Sequence, residues 1–89
     1  MPSEVVTVAS AVGLHARPAS LLIKAAAAAG VPVTIGRVGE TPVNAASMLS
    51  VLALGAKHGE QVEITVADGD NADSILAGLV EIVSTNHDA

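Results

Sequence analysis

His15, Arg17 and Pro18 are the residues whose types and spacing suggest chemistry. They stand where a valine-rich run gives way to an alanine-rich helical pattern. Neutral imidazole is a good nucleophile near physiological pH, so His15 is suited to take a phosphoryl group on a ring nitrogen and release it again. The anion so formed needs donors. A helix opening at Ala16 offers unpaired backbone N–H groups and the positive end of its dipole. Arg17 adds a fixed cation suited to phosphate oxygens. Pro18 fits a first helical turn, where a missing N–H costs nothing, and Gly13 allows a tight turn before the site. A lone histidine at a helix start also serves as a cap or a plain surface residue, and spacing alone does not decide between these readings.

The elements that must position these residues are legible from periodicity. Residues 4–9 read as a strand with Val6 and Val8 inward and Thr7 outward. Residues 16–29 read as a helix, with Ala19, Leu22, Ile23 and Ala26 on its buried face and Gly30 at its stop. Residues 31–35 give a second strand, 37–40 a turn, and 41–45 a third strand that Pro42 assigns to a sheet edge. Ser47 is placed to cap a short helix, Met48 to Leu54, ended by Gly55. Residues 60–67 alternate, with Val62, Ile64 and Val66 inward. A last helix spans about 71–85, capped by Asp70 or Asn71 and carrying Asp73 in its first turn. One-sided alternation means a sheet covered on one face. The order βαββαβα therefore predicts a two-layer α+β domain, a single unit over residues 1–89.

Composition narrows the function classes. The 89 residues contain no Phe, Tyr or Trp, so the core must be built from small aliphatic contacts, and aromatic base-stacking modules are excluded. Four basic against nine acidic residues, a net charge of −5, do not suit a nucleic-acid binder. With no cysteine there is no disulfide, thiolate metal site or thiol nucleophile. Residues 19–31 are too short for a membrane span, and no signal peptide opens the chain, so a soluble cytoplasmic protein is expected. Asp68-x-Asp70-x-x-Asp73 lacks the glycine and glutamate of a calcium loop and reads as a turn plus cap. His58 and His87 read as loop and tail histidines. No metal site and no cofactor is called for.

Gly13-Leu14-His15-Ala16-Arg17-Pro18-Ala19 resembles the active-site signature of HPr, the histidine-containing phosphocarrier of the bacterial sugar phosphotransferase system. Residues 44–55, Asn-Ala-Ala-Ser-Met-Leu-Ser-Val-Leu-Ala-Leu-Gly, resemble that family's second signature, around its regulatory serine. Two separated motifs in family order are specific, the similarity covers nearly the whole chain, and its flavour is actinobacterial.

The resemblance implies an open-faced sandwich with a four-stranded antiparallel sheet and three helices on one face. It implies a stoichiometric carrier rather than an enzyme: Enzyme I, charged by phosphoenolpyruvate, phosphorylates His15 on Nδ1, and the group passes to a histidine of a IIA protein or domain. Arg17 would stabilise the phosphorylated state. Ser47 would match the serine modified by HPr kinase/phosphorylase where one exists; the plain structural reading is an N-cap. Ala16, Ser20, Leu21, Lys24, Met48, Leu49 and Leu52 match the family's partner-binding face, with core packing the alternative for Leu49 and Leu52. Ala46 departs from the lysine that many relatives carry just before the serine, which weakens the kinase connection; Ala27 and Ser50 stand where relatives often carry lysine, which implies weaker electrostatic steering or differently charged partners. The protein is expected as a monomer.

Three other classes have discriminators. A non-transferring regulatory module would typically lack the histidine. A nitrogen-type relay member would exchange phosphate with a different Enzyme I and IIA. A phosphatase would need a second catalytic acid and an enclosed substrate site.

Overall fold

The computed structural model describes residues 2–10, 13–14 and 16–85. Its elements are β1 (Ser3–Thr7), α1 (Ala16–Ala28), β2 (Val33–Arg37), β3 (Val43–Asn44), α2 (Met48–Leu54), β4 (Gln61–Val66) and α3 (Ala72–Ser84). They follow the expected order. The strands form one antiparallel sheet in the order β1-β4-β2-β3, so β3, with Pro42 before it, lies at an edge.

Alternation decides which face is covered. In β4, Val62, Ile64 and Val66 are buried while Gln61 and Glu63 are exposed. The register sets Val6 opposite Val62 and Ile35 opposite Ile64, so the inward residues of three strands form one apolar surface. Leu22 and Ala26 of α1, Val51 of α2, and Leu76, Leu79 and Val83 of α3 pack onto it. Val6, Leu22, Ala26, Val62, Ile64 and Val66 are buried as read from the sequence, whereas Ile23, expected on the same face of α1, is half-buried. Many small contacts supply the cohesion that aromatic rings give other cores.

Several boundaries move. β2 begins at Val33 rather than at residue 31, because Pro32 has no N–H for the ladder; it extends through Arg37, which the strand and the turn share. The turn over residues 37–40 is as read, closed by the Glu40 N–H donating to the Arg37 carbonyl at 2.9 Å. β3 keeps two residues of the five expected. β1 ends at Thr7, although the buried Val8 still exchanges backbone hydrogen bonds with Gly59 and Glu60. Asn71 occupies the cap position of α3, but its side chain makes no capping hydrogen bond.

Candidate functional site

His15 and His87 lie outside the described residues, as do the expected frayed residues 86–89, so the site is defined by what surrounds position 15. On its N-terminal side, Gly13 adopts φ +81°, a left-handed conformation that favours glycine. A Cβ there would also collide with the Ala56 carbonyl oxygen and stand 2.9 Å from Lys57 Cα. The Leu14 N–H donates to that same carbonyl at 2.9 Å, and the Leu14 side chain is buried. The approach to position 15 is therefore pressed against the segment that follows α2.

On the C-terminal side α1 opens at Ala16. Ala16 and Arg17 are exposed, whereas Pro18 and Ala19 are buried and anchor the first turn. That turn contains no acidic residue, so its N–H groups and dipole are not neutralised from within. Arg17 has no hydrogen-bond or ion-pair partner among the described residues, which leaves its guanidinium available to an anion. The chain has no acidic residue between Glu4 and Glu40, nor between Glu40 and Glu60, and all four of its Lys and Arg residues fall in those two stretches. The net negative charge thus resides outside the segments that build this end of the molecule.

The other motif folds as a capped helix. Ser47 sits at φ −107°, ψ 116°, and its Oγ accepts the Ser50 N–H at 3.3 Å, the bond expected of an N-cap. Asn44 Oδ1 accepts the Ala46 N–H at 2.9 Å and shapes the turn before it. At the far end Gly55, at φ 65°, ψ 29°, gives a left-handed stop.

Of the apolar residues in α2, only Val51 is buried. Leu49 is 83% exposed, Leu52 40% and Met48 38%, and Leu21 of α1 is 40% exposed. Core packing is thereby removed as an account of Leu49. Keeping one leucine in water rather than burying it forgoes about 1.5–3 kcal/mol, so several on two contacting helices form a surface that folding does not explain. Ser20 is half-buried beside them and Lys24 is exposed. The Leu14–Ala56 bond ties the start of α1 to the end of α2, while Ser47 caps the opposite end, about 10 Å along the helix axis.

Three features escaped sequence reasoning. Arg37 Nε and Nη2 donate to Glu60 Oε2 and Oε1, each at 3.2 Å, and Nη2 also donates to the Gly55 carbonyl at 2.9 Å. The hydrogen bond from Arg37, then that from the Lys57 backbone at 2.6 Å, hold the Glu60 carboxyl below its ordinary value. His58 Nδ1 lies 3.1 Å from the Ser10 carbonyl, an acceptor, so in this bond that nitrogen carries the proton. Ser10 is buried, and its Oγ finds no hydrogen-bond partner among the described residues. The only available signal was register: Arg37 pairs with Val62, which brings Glu60 within reach. A cavity of about 620 Å³ lies at the far end of α1, between Ala26, Val33 and the Pro42–Val43 edge. It is mainly apolar and reaches the Asn44–Ala46 turn before Ser47, but its lining includes none of residues 13–20 or 55–60.

Comparison with known proteins completes the description. The family model "PTS HPr component phosphorylation site" matches residues 2–85. The chain is 51% identical over 79 residues to phosphocarrier protein HPr of Streptomyces coelicolor, covering 89% of this chain and 84% of that one. It is 47% identical over 81 residues to phosphocarrier protein HPr of Haloferax volcanii, covering 90% of each. The crystal structure of an HPr from Thermoanaerobacter tengcongensis superposes with a TM-score of 0.84 at 26% identity, over 93% of this chain and 91% of that one. Fold and sequence together define a small open-faced sandwich of the phosphocarrier class. The chain belongs to the HPr family of the phosphotransferase system, with an actinobacterial relative among its matches.

Proposed function

We propose that residues 1–89 act as one cytoplasmic, monomeric carrier domain that accepts a phosphoryl group from phospho-Enzyme I on His15 and donates it to IIA proteins. The observation that carries this reading is the unneutralised start of α1, with exposed Arg17, beside an exposed apolar surface on α1 and α2. Transfer forms a bond from a ring nitrogen of His15, Nδ1 by family resemblance, to phosphorus as the donor's bond to phosphorus breaks. The second ring nitrogen keeps the proton, and the α1 N–H groups and Arg17 balance the charge left on the phosphoryl oxygens. The return step is the same exchange with a IIA histidine as acceptor. Leu21, Met48, Leu49 and Leu52 supply the apolar contact to both partners, with Ala16 and Ser20 close to the reacting group and Lys24 at the rim. Met48 suits a surface that must fit more than one protein.

Ser47 is a second phosphorylation site in this reading. Its hydroxyl already caps α2, and a phosphate there would place about two negative charges beside the apolar surface, weakening docking where an HPr kinase acts.

A relay assay tests the carrier role. The protein is charged with labelled phosphoenolpyruvate and Enzyme I, freed of donor, and mixed with a IIA protein. Loss of label from this chain matched by gain on IIA is expected. Label that enters only as Enzyme I is present and then stays on this chain, with every IIA tested, contradicts a carrier.

A further inference from the structure

Residues 55–60 join the two parts of the site, and one ion pair closes both ends of that segment. Arg37, the last residue of β2, holds Gly55 through its carbonyl and Glu60 through both carboxylate oxygens. Glu60 Oε1 in turn accepts the Lys57 N–H. Between these anchors the segment receives the approach to position 15. Ala56 accepts from Leu14, Gly13 rests on Ala56 and Lys57, and His58 bonds the Ser10 carbonyl. Val8 exchanges hydrogen bonds with Gly59 and Glu60. Gly55 is also the stop of α2, so the same guanidinium that fixes the segment fixes the end of the helix carrying Leu49 and Leu52.

We propose that Arg37 and Glu60 are positioning residues for phosphoryl transfer: they lock the 55–60 segment, and with it Leu14 and Gly13, the residues that lead into the reacting histidine. This rests on the phosphocarrier reading above. The pair is partly exposed, with side-chain accessibilities of 28% and 36%. Pairs so placed contribute little to global stability. Their effect lies in geometry, and small misplacements of a reacting group are costly in rate.

The test uses the full chain as Arg37→Met, Glu60→Gln and the double variant, with Glu60→Gln the milder should Arg37→Met fold poorly. Three quantities are measured well below the melting temperature: amide exchange at Leu14 and Gly59, kcat and KM for phosphorylation by Enzyme I, and the thermal midpoint. Exchange at Leu14 should rise, and kcat should fall about three- to thirty-fold with KM nearly unchanged. The double variant should lose no more than the worse single, because the pair acts as a unit. Unchanged kcat in folded variants beside an active wild type overturns the positioning role alone, as does unchanged Leu14 exchange. A wild type that takes up no phosphoryl group overturns the phosphocarrier reading, and this proposal with it.

Discussion

At the scale of single residues, Gly13 shows how tightly the approach to His15 is specified. Its positive φ and the collision that a Cβ here would have with the Ala56 oxygen are separate reasons for glycine. Gly13→Ala should therefore lower the unfolding free energy by about 2 kcal/mol or more. Gly39 also has a positive φ, 85°, but open space around its Cα, so Gly39→Ala should cost only about 1 kcal/mol. Urea denaturation of the two variants measures the difference. The turn at Gly13 was legible in the sequence, but the close approach was not, because it depends on a segment more than forty residues away. Ser47 was more transparent: a cap bond spans three residues, and local sequence contains all of it.

At the scale of elements, α2 divides its apolar residues between fold and surface. Leu22 of α1 is fully buried, and Leu22→Ala should cost about 2–5 kcal/mol. Leu49→Ala should change stability by no more than about 0.5 kcal/mol yet raise KM for Enzyme I, since its side chain faces water. Thermal melts and initial rates on both variants separate the two roles. Seven residues of helix give too little periodicity to read this division, and the sequence accordingly left Leu49 and Leu52 open between core and contact. The Arg37–Glu60 link was hidden for another reason: its partners are 23 residues apart and meet only when β2 pairs with β4. That link has a pH signature. Because the folded Glu60 carboxyl titrates below its ordinary 4.5, its contribution is present above that value and is lost as pH falls through the lower folded value. Because the pair is partly exposed the effect is small: the decline of the urea midpoint below about pH 4.5 should be only slightly shallower in Glu60→Gln than in wild type.

At the scale of the whole molecule, a one-faced sheet leaves one layer of helices to do two tasks. Their inner stripes complete the core, and the outer surfaces of α1 and α2 stay exposed, which the proposed carrier role assigns to docking. The order of elements and the inward residues were legible because alternation and helical spacing persist over five or more residues; β3 was legible as an edge strand through Pro42, but its length, two residues rather than five, was not. The charge distribution shows why a net value misleads: the chain is acidic overall, yet its four cationic side chains lie in the acid-free stretches that include α1 and α2. The central claim is that His15 is the phosphoryl acceptor. Incubation with phosphoenolpyruvate and Enzyme I, followed by intact mass and peptide mapping, tests it most directly. Wild type should gain one acid-labile, base-stable phosphoryl group at residue 15, and His15→Ala should gain none. Equal labelling of the His15→Ala protein would contradict the account.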